Sequence, residues 1–206
     1  MFTGIVETTG TVVKKENIGG DCRLVIETGE LSLAGCGSGD SISVAGACLT
    51  MLEPAANRFT ADVSQETLSL TTLGGIETGG KVNLELAMAA EDRFGGHLVT
   101  GHVDGMATLL SRREDARAER FDFEVPQELA RYVARKGSVC LDGVSLTVNS
   151  VDGARFSVCL IPHTMDITTL GALQPGDRVN LEVDLIARYL ERLMSPDLAA
   201  DAAGDH

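Results

Sequence analysis

The sequence predicts an all-β protein made of two copies of one small antiparallel barrel or sandwich, with a single helix appended. Three observations predict it: the chain matches itself at a shift of 97 residues, both copies are runs of short β-rich segments, and an amphipathic stretch without a counterpart follows the second copy. Self-similarity at a fixed shift marks a duplicated unit and sets how every later segment is read.

The match starts near the N terminus. Thr3-Gly4 falls on Thr100-Gly101, Val6 on Val103, Ser41 on Ser138, and GACLT at 46–50 on GVSLT at 143–147. In the same register Arg58-Phe59 meets Arg155-Phe156, Thr67 meets Thr164, TTLG at 71–74 recurs at 168–171, and VNLE at 82–85 recurs at 179–182. One ungapped shift over this span defines two units, about 1–90 and 98–187.

Within the units, runs such as GTVVK, CRLVIET, SISVAG, CLTML, RFTADV and KVNLELAM are bounded by Gly, Asp and Asn, the pattern of short antiparallel strands. A helix is expected over Gln127 to Arg135, with Pro126 at its start and Gly137 past its end. A shorter one is expected after Thr67 or Thr164. AAEDRFGGH at 89–97 joins charge to a glycine pair and reads as a linker. The domains are therefore 1–97, the first barrel with its linker, and 98–184, the second. In DLIARYLERLM, Leu185, Ile186, Tyr189, Leu190 and Leu193 share one face of a helix at 185–195, which Pro196 ends. That apolar stripe has to pack on a barrel or on a partner chain. Residues 196–206 are expected to form a disordered tail.

Composition narrows the function classes. The 206 residues are 44% hydrophobic and 23% charged, with no apolar run near the ~20 residues a membrane span needs. MFTGIVETTGTV at 1–12 has no basic leader or small-residue cleavage site, so a cytoplasmic protein is expected. A formal charge of −13 disfavours a phosphate backbone, and nucleic acid is not an expected partner. The five cysteines, at 22, 36, 48, 140 and 159, lack C-x-x-C spacing and are expected as free thiols. His97, His102 and His163 lack zinc spacing, so no metal is expected. GCGSG at 35–39 resembles a phosphate loop but lacks the strand–turn–helix context that gives such a loop meaning.

The doubled pentapeptide is the candidate chemistry. In a strand alternate side chains share a face, so Cys48 and Thr50 point one way and Leu49 points to the core. Ser145 and Thr147 repeat this around Leu146. Packing alone would account for such residues, but other paired segments add to them. TGIV at 3–6 and TGHV at 100–103 each place a glycine in a strand, where another backbone or a ligand comes close. SQET at 64–67 and IPHT at 161–164 follow strands and offer loop donors and acceptors.

MFTGIVE, the GACLT and GVSLT pair, GGHLVTGHVDG at 95–105, KGSVCLDGVSLTV at 136–148, IPHT and the doubled TTLG together resemble the riboflavin synthase α-subunit family, over Met1 to about Met194. The resemblance implies two six-stranded antiparallel Greek-key barrels, a C-terminal helix that helps form a homotrimer, and substrate bound in each barrel. It implies a transferase reaction in which two 6,7-dimethyl-8-ribityllumazine molecules exchange a four-carbon unit, giving riboflavin and a ribitylaminouracil, with no cofactor. Association with a lumazine synthase is a further question it raises. Substrate contacts are implied at Gly4, Ile5, Val6, Cys48, Leu49, Thr50, Asp62, Val63, Ser64, Gln65, Glu66 and Thr67 in the first copy. In the second they are Gly101, His102, Val103, Lys136, Ser145, Leu146, Thr147, Cys159, Leu160, Ile161, Pro162, His163 and Thr164.

Two identical substrates suit two copies of one fold, because holding both reactants in line replaces a bimolecular encounter. The reaction is asymmetric: one lumazine loses a proton from its 7-methyl group and the other is attacked at ring carbon 7. The copies differ accordingly, Cys48 against Ser145, Ile5 against His102, Ala45 against Asp142, Gly39 against Lys136 and Glu66 against His163. The second copy holds more groups able to move protons, so Ser145, Thr147, His102 and Asp142 are assigned to proton transfer, while Cys48 and Thr50 orient or add to the other ring. Ala45 stands where the family often has Asn and Ser69 where it often has Arg, which predicts a thinner polar lining in the first copy. A non-catalytic lumazine or flavin carrier and a duplicated assembly module are the rival readings.

Overall fold

Alternation makes the strands. In DCRLVIE, Cys22, Leu24 and Ile26 are buried and the residues between them are not, the period of two that sends one face of a strand to the core. The computed structural model, which describes residues 1–194, contains two such sheets, each of seven antiparallel strands. The first holds β1 (Thr8–Ile18), β2 (Asp21–Glu27), β3 (Ser41–Val44), β4 (Ala47–Thr50), β5 (Leu52–Ala55), β6 (Arg58–Val63) and β7 (Lys81–Leu86), in the order β4-β3-β7-β1-β2-β6-β5. The second holds β8 (Gly105–Asp115), β9 (Ala118–Glu124), β10 (Ser138–Leu141), β11 (Val144–Thr147), β12 (Ser150–Asp152), β13 (Arg155–Leu160) and β14 (Arg178–Val183), in the same order shifted by one unit.

Seven strands appear where six were expected because one stretch is split. CLTMLEPA breaks at the buried Met51, whose amide donates to Asp40 O. β4 before the break pairs with β3, and β5 after it pairs with β6. Those are the two edges of the sheet, so a single stretch of chain closes it.

Each sheet wraps its own core. The first is built on Leu24, Ile26, Ile42, Phe59 and Leu84. The second is built on Leu109, Leu141, Leu181 and the stacked rings of Phe121, Phe123 and Phe156, with centroids 6.3 and 5.7 Å apart. Each such side chain contributes about 1.5–3 kcal/mol by leaving water. Both long first strands carry a bulge at the same repeat position, between Val12 and Lys14 and between Leu109 and Ser111.

The helices are few. α1 (Gln65–Leu70) and α2 (Pro162–Ile167) begin slightly before Thr67 and Thr164, and each leads into a 3₁₀ turn, Thr72–Gly75 or Thr169–Ala172. Ser64 caps α1 by accepting from Thr67 N, whereas α2 starts on Pro162 without a side-chain cap. The helix expected over Gln127 to Arg135 is only a 3₁₀ turn, Ala130–Tyr132. So short a segment cannot hold a helix by propensity alone, and its Leu129, Tyr132 and Val133 instead lie against the second core. α3 (Leu185–Met194) forms as expected, and the segment 196–206 lies outside the described residues. GCGSG leads into β3 rather than into a helix. No helix among the described residues is long and apolar enough to cross a membrane.

The two barrels meet about an approximate two-fold axis. Turns Ala45-Gly46 and Asp142-Gly143 join β3 to β4 and β10 to β11, with φ of 47° and 82° in one and 45° and 84° in the other, the left-handed pair of a tight hairpin. At the axis these turns touch: a Cβ on Gly46 would lie 2.7 Å from Gly143 N. Two buried asparagines lock the faces. Asn83 donates to Asp142 O at 2.9 Å and accepts from Thr169 N at 2.8 Å. Asn180 donates to Ala45 O and accepts from Thr72 N, both at 2.7 Å.

The segments before β1 and β8 cross over. Phe2 bridges to Val99, Val6 is buried in the second core, and Val103 packs on the first. Each chain segment then returns, Glu7 N donating to Leu84 O and Asp104 N to Leu181 O.

Candidate functional site

The crossover builds two related half-sites. In β4, Cys48 is half-buried, Leu49 faces the core and Thr50 is exposed. β11 repeats this with Ser145 half-buried, Leu146 against the second core and Thr147 exposed. Gly101 O accepts from Cys48 N at 2.8 Å, and Gly4 O accepts from Ser145 N at 2.8 Å. Both approaches require glycine: φ is +79° and +76°, and a Cβ would stand 2.5 Å from the facing Cβ in each case. These glycines lie outside regular strands, and the close neighbour that the sequence calls for is the other barrel's backbone.

A buried carboxylate fixes each crossing segment. Glu85 accepts from Thr3 N and Thr3 Oγ1 at 2.7 Å and from Gly4 N at 3.1 Å. Glu182 accepts from Thr100 N at 2.8 Å, Thr100 Oγ1 at 2.7 Å and Gly101 N at 2.9 Å. Burial raises the Glu85 pKa, and the three hydrogen bonds oppose the rise.

Around Cys48 lies a cleft of about 270 Å³, lined by Cys48, Glu66, Thr67, Leu70 and Thr71 of one barrel and by Gly101, His102 and Val103 from the other. His102 therefore stands with Cys48 and not with Ser145, the grouping read from sequence, because the chain crosses before β8. Its carbonyl accepts from Arg188 Nη2 of α3 at 2.7 Å, and Arg188 also pairs with Asp104 at 2.7 Å. By the same exchange Gly4, the exposed Ile5 and Val6 stand with Ser145.

The remaining expected contacts are spread more widely. Asp62, at the end of β6 beside the buried Val63, is held by Arg23 through two hydrogen bonds of 2.6 and 2.7 Å. Ser64 caps α1, and Gln65 N donates to Asp21 Oδ1. Ile161, Pro162 and His163 open on a separate cleft of about 560 Å³ with the β8–β9 turn at Asp115–Ala118. Cys159 is half-buried on β13, Leu160 is in the core, and Thr164 O accepts from Thr168 Oγ1. Lys136 is exposed, with its amide donating to Val148 O.

Asp142 sits in the turn at the axis rather than on either cleft described. Its carboxylate accepts from Asn180 N at 2.7 Å, and burial pushes its pKa up to about 7. Ala45, its counterpart, sits in the equivalent turn between β3 and β4, so the Asn expected there bears on the barrel junction and not on the cleft lining. Ser69 bonds within its own helix, Oγ donating to Glu66 O.

One polar group escaped the sequence reading. His97, from the linker, places Nδ1 2.6 Å from Ser145 Oγ. Burial lowers its pKa, against the opposing pull of Asp184 and Glu182. The signal was its position at the end of a glycine pair, one step before the second copy starts. Among the described residues no His, Cys, Asp and Glu cluster could hold a metal ion, and all five thiols are free.

Known proteins resemble this chain in sequence and fold. The lumazine binding domain family matches twice, at residues 3–87 and 100–184. The riboflavin synthase of Photobacterium phosphoreum is 44% identical over 98% of this chain and 92% of its own, and that of Mycobacterium bovis is 46% identical over 94% and 98%. The riboflavin synthase of Bacillus subtilis is 41% identical over 94% and 90%. Crystal structures of LumP with 6,7-dimethyl-8-(1'-D-ribityl) lumazine and with riboflavin superpose with TM-scores of 0.78 and 0.79, at 25% and 26% identity, covering 89% of this chain and 99% of theirs. On the doubled domain and the near full-length identity, the chain belongs to the riboflavin synthase family of duplicated lumazine-binding barrels.

Proposed function

We propose that this chain is a riboflavin synthase, a transferase that converts two molecules of 6,7-dimethyl-8-ribityllumazine into riboflavin and 5-amino-6-(ribitylamino)uracil. The observation that carries this reading is the pair of half-sites with one geometry and two chemistries, a thiol at Cys48 and a hydroxyl at Ser145, each beside a glycine that lets a flat ring approach backbone. Identical substrates need matching pockets, and an asymmetric exchange needs them to differ.

Each pocket orients a ring; proximity then supplies most of the rate. Cys48, with Thr50, Glu66 and Thr67 on the same barrel and His102 facing it, holds one lumazine. Ser145, with Thr147 nearby, takes part in proton movement at the 7-methyl group of the other. The Cys48 cleft falls a little short of the roughly 300–1,000 Å³ usual for a ligand pocket, so a second surface has to cover the ring.

A homotrimer would supply that cover. α3 exposes Ile186, Tyr189, Leu190 and Leu193 at 52 to 74% of their surface, an apolar face that this chain leaves uncovered. Free thiols suit a reducing compartment such as the cytoplasm. A lumazine synthase, which makes the substrate, is the natural protein partner.

Incubation of purified protein with ribityllumazine should produce flavin absorbance. The rival is a carrier that holds such a chromophore, as the LumP crystal structures hold ribityllumazine or riboflavin; bound chromophore without turnover would establish that reading instead. Ser145→Ala should lower turnover about tenfold or more while changing ligand affinity much less, and His102→Ala, at the ring-holding cleft, should lower both. Full turnover in both variants would defeat the assignment of those residues.

A further inference from the structure

We propose that His97 is a positioning residue for Ser145 and the main source of the chemical difference between the half-sites. This deepens the reading above and rests on it. The scaffold treats Cys48 and Ser145 alike: same strand position, same glycine neighbour, same 2.8 Å amide bond to the crossing segment. What differs is a third group. Ser145 Oγ has His97 Nδ1 at 2.6 Å, whereas among the described residues no side chain hydrogen-bonds Cys48 Sγ.

The linker delivers that imidazole by a close fit. His97 N donates to Thr3 O at 3.1 Å, and a Cβ on Gly96 would lie 1.9 Å from the same oxygen. Only glycine at 96 lets the linker lie flat on the crossing strand, and flatness brings the ring to Ser145. The fit is the second observation, independent of the hydrogen bond, and it assigns Gly96 a role too.

The chemical consequence follows from donors and acceptors. Burial keeps the imidazole neutral near pH 7. With its proton on Nε2, Nδ1 accepts the Ser145 hydroxyl proton, which commits the one donor that a serine has. Ser145 then presents only lone pairs to a bound ring and selects a partner with hydrogen to give. Cys48 keeps its own proton to offer. The first half-site donates, the second accepts, and the ring that gives up a methyl proton belongs at Ser145.

Five variants of the full-length protein test this: His97→Ala, His97→Asn, Ser145→Ala, His97→Ala with Ser145→Ala, and Gly96→Ala. Turnover is followed by flavin absorbance and riboflavin affinity by fluorescence. His97→Ala should cut kcat about tenfold with KM and riboflavin affinity within about twofold, since one oriented hydrogen bond is lost and the pocket remains. His97→Asn, whose Oδ1 stands near the place of Nδ1 and still accepts, should recover most of the rate. In the Ser145→Ala background His97→Ala should cost nothing further. Gly96→Ala should resemble His97→Ala. A kcat for His97→Ala within about twofold of wild type, additive losses in the double variant, or an Asn variant as slow as Ala would each overturn the proposal. Wild-type protein that makes no riboflavin would instead end the functional reading, and this inference with it.

Discussion

The first and second barrels build one skeleton from side chains that differ at most positions, and what both copies keep separates what holds the protein from what it does. Both use Glu to clamp Thr-Gly, both use Asn to bridge to the opposite turn, and both close through one split strand. Among the many positions that differ, those at the half-sites and the junction are Cys48 and Ser145, Ala45 and Asp142, and the linker, whose His97 reaches Ser145. Duplication fixed the geometry, and single substitutions set the chemistry.

The comparison breaks most directly at the axis. Gly46→Val puts a branched side chain at a positive φ and 2.7 Å from Gly143 N, so it should cost about 4 kcal/mol by denaturant unfolding, or prevent folding altogether. A loss under about 1 kcal/mol would mean that the two turns do not meet in solution.

The turns themselves sharpen it. Asp142 carries a pKa raised by burial to about 7. Its folded value exceeds its unfolded value, so its contribution to stability is complete below about pH 4 and is lost as pH rises through about 7. Asp142→Asn keeps the acceptor for Asn180 N without the buried charge, and should exceed wild type in stability by about 2–3 kcal/mol at pH 8, a margin that closes toward pH 4. Parallel stability curves for the two proteins would place the carboxylate in water. The mirror change is smaller: Ala45 occupies the same left-handed position, which Asn tolerates better, so Ala45→Asn should add about 0.5–1 kcal/mol with little pH dependence, read from the same unfolding curves.

Much of this was legible in the chain. The register of 97 marked the duplication, the period of two placed Leu49 inward with Cys48 and Thr50 on the other face, and the stripe from Leu185 to Leu193 forms α3. The crossover was not legible, for a definite reason: exchanging two equivalent segments leaves the repeat unchanged, so Val6 and Val103 read the same in either barrel. That ambiguity misplaced His102. The helix at Gln127–Arg135 failed because its terminal signals were sound while its length was not. His97 lay outside the repeat, where no twin drew notice to it, and Met51 looked like one more strand residue until its amide turned to Asp40.

The exchange of leading segments also bears on how the polypeptide could be divided. Residues 1–90 alone would keep a core from which Val103 and the Gly101 carbonyl are missing, and would carry Val6 and Gly4 with no place to insert them. Two such fragments would each hold what the other lacks. Severed from its neighbour, the front half has every reason to find a copy of itself.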